Sequence, residues 1–505
     1  MNIKRAKEEI QNTVRAYLAK DAYGSYRIPQ LRQRPVLLMG PPGIGKTQIM
    51  EQIAGELGVG LVSYTITHHT RQSALGLPFI REETFGGRSF SVTEYTMSEI
   101  LAAVWRQMEA TGIKEGILFL DEINCISETL APMMLQFLQC KTFGNQRLPE
   151  GWVLVAAGNP PEYNKSVREF DVVTLDRVKR MDVTADYGVW KEYARRKGLH
   201  GAILSYLELH KEDFYHMERT ADGLQFVTAR GWEDLSELLQ AYEAMDIPVD
   251  RDVVGAYLQL PRIARSFADY WVLYRRYKEV YHVDEILKGR WQPVVASELA
   301  SAPFDERLSL LGLLLSRLSE EARQTWELDA LADALHGDLL AVKGALDQTP
   351  PAQVLRERAG ALEAGLAQKE VAGSSDRDAR RRSLARLERL GAYQALLERE
   401  APGDGGGAFA LLKDAFQEDV ARRAQAAVET GVHLEHAFAF LEAALGESQE
   451  MVVFATELTA GFHTSWFIQS FGCEAYYRHN QSLLFHDARQ QLLQDIAGLR
   501  QAQES

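Results

Sequence analysis

Between residues 30 and 185, short apolar runs alternate with longer stretches whose apolar positions recur at helical spacing, the pattern of a parallel sheet covered by helices. Four runs are expected strands: Arg34–Met39, Gly60–Thr65, Gly116–Asp121 and Trp152–Ala157. Each is dominated by branched or apolar residues without strict alternation, as a strand buried on both faces requires. Beyond Asp186 the period becomes helical, as in WKEYARRKGLHGAILSYLELH and WEDLSELLQAYEAM, and this helical module closes near Phe267–Tyr281. A second helical region follows, in which Leu308, Leu311, Leu315 and Leu318, then Leu328, Leu331, Leu335, Leu339 and Val342, form apolar faces. Gly, Ser, Pro and Asp mark two breaks in it, at 371–378 and 401–407. The expected organisation is an N-terminal amphipathic helix within 1–30, a large α/β domain over 31–185, a small helical domain over 186–284, and a helical region over 285–505.

Composition narrows the class. The chain has 505 residues, 46% hydrophobic and 25% charged, which is a soluble globular composition with room for several cores. A net charge of -14 disfavours a general role in coating nucleic acid or an anionic membrane. Cys125, Cys140 and Cys473 are far apart and form no CxxC pair, so a reducing, cytoplasmic setting is expected. The N-terminus lacks the unbroken apolar stretch of a signal peptide, and runs such as PVLLM and GILFL fall far short of the roughly 18 residues needed to span a bilayer.

The chemistry begins at GPPGIGKT, which follows the strand PVLLM directly and precedes the helix TQIMEQIAGEL directly. That is the context a phosphate-binding loop needs. Gly40, Gly43 and Gly45 let backbone N–H groups wrap phosphates, and Pro41, Pro42, Ile44 and Gln48 complete the segment expected to hold ATP. Lys46 offers a point charge and the Thr47 hydroxyl a ligand for magnesium. ILFLDE, Ile117–Glu122, ends a strand in two acids. Taken alone, such a pair is a common helix cap. Beside a phosphate loop, Asp121 is expected to support the metal and Glu122 to activate the attacking water. A third strand, WVLVAAGNP, ends at Asn159, whose neutral amide can orient that water.

These residues resemble the AAA+ ATPases, and within them the MoxR family, over roughly residues 30–280. Besides GPPGIGKT, ILFLDE and AAGNP, the segment Lys141–Trp152 is similar to the β-hairpin this group inserts before its sensor strand. His68–Phe90, with GLP at Gly76–Pro78, looks like its second-helix insertion, a loop facing the pore or client. The resemblance implies an arginine finger in LDRVKR, at Arg177 or Arg180, and a sensor arginine at Arg230 in VTARGWEDL. Family members usually carry Phe after the finger where this chain has Val178. It further implies a P-loop AAA+ parallel sheet with helices on both faces, a small all-α lid over 186–284, and ATP and Mg2+ as cofactors. The implied assembly is a homo-oligomeric, hexameric ring that remodels a protein client, with a von Willebrand factor A domain protein as a possible partner. The all-α C-terminal region lies outside the resemblance and is expected to select partners.

Two other features have simpler readings. His463, Cys473, His479 and His486 are spaced irregularly, without the ligand set of a metal site, so packed and hydrogen-bonded side chains are expected. Arg377, Arg380, Arg381, Arg382, Arg386 and Arg389 form a basic run, read as a solvated helix face. Three functions stay open: an ATP-driven chaperone, a nucleic-acid-stimulated motor, and a slowly hydrolysing assembly switch.

Overall fold

The computed structural model describes residues 1–68, 74, 76–143, 146–163, 167, 170–220, 223–371, 377–400, 402 and 404–480. The chain folds as two compact units, one of residues 1–189 with 360–383, the other of 190–359 with 384–505.

In the first unit, helix α1 (Ile3–Leu18) is capped by Asn2, whose side chain accepts from the Arg5 amide at 3.0 Å. It buries Ala6, Ile10, Thr13 and Val14. The central sheet contains β1 (Val36–Met39), β2 (Gly60–Thr65), β5 (Gly116–Asp121), β8 (Trp152–Gly158) and β9 (Lys179–Asp182). Between these lie two hairpins, β3 (Pro78–Phe85) with β4 (Arg88–Tyr95), and β6 (Thr142–Phe143) with β7 (Gln146–Arg147). The sheet order is β2-β5-β8-β1-β9 and every pairing in it is parallel. Apolar side chains such as Leu37, Leu118, Leu154, Val104 and Phe137 fill one face.

Departures from the expected elements have physical causes. β1 starts at Val36 because Pro35 has no N–H to donate to a ladder, although its carbonyl accepts from Lys179 at 2.8 Å. The fifth strand, β9, reads KRMD. As an edge strand it needs no continuous apolar run, and its Lys179 ammonium reaches Glu9 at 2.6 Å and Thr13 at 2.7 Å on α1. Within the insertion expected at His68–Phe90, residues from Pro78 onward form the β3–β4 hairpin, turned at Gly86 and Gly87, while 69–73 and 75 lie outside the described residues. Trp152 explains two small residues at the sheet's start: a Cβ on Gly116 would fall 2.7 Å from the indole, and one on Gly60 3.2 Å from it. Lys141, the residue just before the short β6–β7 hairpin, is buried, donates to the Gln30 carbonyl at 2.5 Å, and has its pKa pushed down to about 8 by burial. Residues 360–383 join this unit with a bond from Gln368 to the Thr111 carbonyl at 2.8 Å.

The second unit is mostly helical, but a hairpin of β10 (His216–Thr220) and β11 (Gly223–Val227) interrupts the periodicity that follows Asp186. Its first core is aromatic, with Tyr206 and Trp232 meeting Phe267 edge-on at 5.3 and 5.4 Å between ring centroids. Two long helices, Phe304–Ala345 and Gly405–Leu445, run antiparallel, as contacts between Thr325 and Thr430 and between Asp329 and Arg423 require. The glycines expected as a break at 401–407 open the second of these helices, because Asp404 caps it by accepting from the Gly407 amide at 2.6 Å.

Asp338 is fully buried in the first long helix. Its oxygens accept from Arg358 at 2.8 Å and from Arg386 at 2.8 and 2.6 Å. Asp419, nearly as buried, accepts from Arg389 at 2.7 Å and from the Tyr393 hydroxyl at 2.7 Å. Two arginines of the basic run therefore point at buried carboxylates and not at solvent. Asp338→Ala is expected to lower stability by about 3 kcal/mol, because it leaves two guanidinium groups without their buried anion, and partial exposure lets them recover some hydration. Urea denaturation followed by circular dichroism checks this; a midpoint equal to the wild type would show that the network contributes nothing net.

His463 sits against Trp326 at 5.3 Å, and His479 stacks on Phe438 and bonds Glu442 at 2.7 Å. Burial pushes the Cys473 thiol up to about 12. His486 lies outside the described residues. Among the described residues no group of three or more His, Cys, Asp or Glu side chains is placed to hold a metal, and no helix is long and apolar enough to cross a membrane.

Candidate active site

The site forms at the C-terminal ends of β1, β5 and β8, which are neighbours in the sheet (β5 with β8, β8 with β1). In open parallel sheets, ligands bind at this end, where successive connections leave in opposite directions. β1 ends at Met39, the loop Gly40–Gly45 follows, and helix α2 (Lys46–Leu57) begins at once. Gly43 and Gly45 have φ of 75° and 89°. That left-handed backbone is open to glycine at little cost and turns successive N–H groups toward one point. The N-terminus of α2 adds its own unpaired amides and dipole.

Lys46 is buried, and its ammonium donates to the carbonyls of Gly40 and Pro41 and to Asn159 Oδ1, each at 2.8 Å. The cation is thus stationed at the mouth of the loop, against the end of β8. The Thr47 hydroxyl donates to Asp121 Oδ2 at 2.8 Å, while Asp121 Oδ1 accepts from the Glu122 amide at 2.9 Å. A hydroxyl and a carboxylate side by side are the oxygen donors that a small hard cation uses alongside phosphate oxygens. The residues present therefore fit magnesium.

Glu122 adopts a φ of 56°, a left-handed conformation uncommon for a residue with a side chain. The bend takes the chain off β5, and Glu122 Oε2 accepts from the Thr67 hydroxyl at 2.9 Å. Thr67 and Asn124 are the contacts that motif spacing misses. Thr67 meets Glu122 because Thr65 pairs with Asp121 in the β2–β5 register, an adjacency visible only once the strands are ordered. Asn124 bonds the Asn159 main chain in both directions: its Nδ2 donates to the carbonyl at 2.7 Å, and its Oδ1 accepts from the amide at 3.3 Å. Lys46, Thr47, Asp121, Glu122 and Asn159 are accordingly brought together, with Gly40, Pro41, Pro42, Gly43, Ile44, Gly45 and Gln48 in the loop and first helical turn beside them.

Arg177 and Arg180 lie elsewhere in the first unit. Arg177 is exposed just before β9 and bonds Gln139. Arg180 is on β9 and pairs with Asp182 of the same strand at 2.8 Å. Because Lys179 is in register with Val36, Arg177 stands at the N-terminal end of the sheet, opposite the phosphate loop, with about 13 Å of β1 between the two ends. Val178 between them is buried in the core. Arg230 belongs to the second unit, exposed in the first turn of the helix Ala229–Ala244, which Thr228 caps.

A phosphate loop with a strand-end carboxylate pair and a neighbouring amide is the constellation of a P-loop ATPase. Residues 36–174 match the model of the ATPase family associated with various cellular activities (AAA). Among solved structures, the chain is similar to one from Cytophaga hutchinsonii described as an ATPase, at 20% identity and TM-score 0.24, covering 38% of this chain and 56% of that one. It is also similar to Caenorhabditis elegans PCH-2, at 15% identity and TM-score 0.24, covering 41% of this chain and 48% of the other. The chain thus spans about half the length of each of these structures. Both likenesses are remote.

Proposed function

We propose that this protein is a MoxR-type ATPase that works as a homo-oligomeric ring, six-membered by its resemblance, and uses ATP hydrolysis to remodel a protein client. Lys46 and the loop amides bind the phosphates, Glu122 takes the proton of the attacking water, and Asn159 orients that water. Magnesium, when bound, offsets charge on the phosphate oxygens, and Thr47 and Asp121 are the residues that would hold it. Arg177, too far from its own loop, completes the site of a neighbouring subunit, with Arg180 restrained by Asp182. Arg230 reports the nucleotide state from the lid.

The observation that carries the client reading is the β3–β4 hairpin. Phe79, Ile80, Phe85 and Phe90 are all exposed on it, and the Phe85 and Phe90 rings lie 6.1 Å apart. Clustered exposed aromatics mark a surface for protein contact. A nucleic-acid motor needs cations there, yet the hairpin mixes Arg81 and Arg88 with Glu82, Glu83 and Glu94. The expected result is that replacing Phe79 and Phe90 by Ser leaves ATP turnover within about twofold, since surface changes away from the site are nearly neutral. The same change should abolish ATP-dependent trapping of client by the Glu122→Gln form. Strong stimulation of turnover by single- or double-stranded nucleic acid, falling steeply with salt, would replace this reading with the motor.

A further inference from the structure

We infer that Asn124 is a positioning residue for ATP hydrolysis, acting through the main chain of Asn159. The inference rests on the role given above to Asn159. Asn124 follows the acidic pair by two residues and is almost completely buried. Its carboxamide is laid against the Asn159 peptide with one bond in each direction, 2.7 Å to the carbonyl and 3.3 Å from the amide. A side-chain amide here imitates a strand. It continues the β5–β8 ladder past the last main-chain bond, from the Ile123 amide to the Ala157 carbonyl at 2.9 Å.

The consequence lies at the reacting groups. The Glu122 carbonyl accepts from the Cys125 amide at 2.9 Å, so Asn124 stands inside the turn whose first residue is the left-handed Glu122. One side chain therefore ties the turn that presents Glu122 to the strand end that presents Asn159. Fixing the Asn159 peptide also fixes its side chain, whose Oδ1 accepts from Lys46 at 2.8 Å. Because an ammonium only donates, this leaves Nδ2 of Asn159 as the donor for a water or phosphate oxygen. The fit leaves no slack: a Cβ added to Gly158 would fall 2.5 Å from Asn124 Oδ1.

Asn124→Asp separates this role from a merely structural one. A carboxylate accepts from the Asn159 amide but opposes its carbonyl, whereas a protonated carboxyl donates to that carbonyl as the amide does. Burial and the facing carbonyl raise the pKa of such a carboxyl. In the full-length protein at pH 8, Asn124→Asp is expected to lower kcat about tenfold or more with KM for ATP within about threefold, the signature of lost alignment. The deficit relative to wild type should narrow several-fold as the pH falls to 6. Asn124→Leu should lose kcat without that recovery. Gly158→Ala, which displaces the carboxamide while keeping Asn124, should reproduce the loss if either Asn124 variant fails to fold.

Asn124→Asp turnover within twofold of wild type, a loss carried by KM, or a deficit that does not narrow with falling pH would overturn the inference. Asn159→Ala serves as the reference. If it hydrolyses ATP normally, the role given to Asn159 falls first; if it is impaired while the Asn124 and Gly158 variants are not, only the present inference falls.

Discussion

Glu122→Gln is expected to bind ATP as tightly as the wild type while its turnover falls by about 10²- to 10⁴-fold, the contribution of a positioned general base. The substitution changes little except basicity. An amide oxygen can still accept from the Thr67 hydroxyl, now 2.9 Å from Oε2, and the left-handed backbone at Glu122 is unaffected by the exchange of a terminal oxygen for nitrogen. Asp121, the Thr47 partner, is untouched, so phosphate and metal binding should persist. Steady-state hydrolysis alongside binding of a fluorescent ATP analogue checks both halves. Unaltered turnover would remove Glu122 from the chemistry, and lost binding would mean that its role is structural.

Arg177→Ala is expected to reduce turnover on the order of 10³-fold, the range of an arginine that stabilises charge spreading over the transferred phosphoryl group. Within its own subunit Arg177 is exposed and bonds Gln139, so folding should not suffer. The decisive measurement mixes this variant with Lys46→Ala, each inactive alone. In mixed rings, a subunit with an intact phosphate loop can meet a neighbour with an intact Arg177, and activity should return. Mixed oligomers that form without regaining activity would exclude action between subunits. Arg180→Ala should cost less, because that side chain is already spent on Asp182.

Much of this site could be read from the chain because its parts are local. The loop, its strand and its helix occupy one continuous stretch, and Asp121, Glu122 and Asn159 each close an apolar run long enough to show as a buried strand. The rest was hidden either by partners distant in sequence or by elements too short to leave a period. β9 is charged because it lies at an edge, and its pairing with β1 leaves no apolar trace. The β10–β11 hairpin is too short to alter a helical period on either side. Gly405–Gly407 look like a linker until Asp404 supplies the cap that starts a helix there. Thr67 and Asn124 are ordinary residues whose contacts with Glu122 and Asn159 come from strand adjacency. The arginines after residue 377 show the reverse error: a basic run suggests a solvated face, but Asp338 and Asp419 draw Arg386 and Arg389 inward.

Asp338 also constrains how the molecule could be shortened. Arg358 and Arg386 come from the two helices Pro351–Val371 and Arg377–Glu400, which leave the long helix Phe304–Ala345 and return before Gly405. Excising that excursion and splicing 346 to 404 would leave a bare carboxylate inside the remaining helices. A minimal version of the protein would therefore need an uncharged residue at 338, and shorter natural forms without the excursion are expected to carry one.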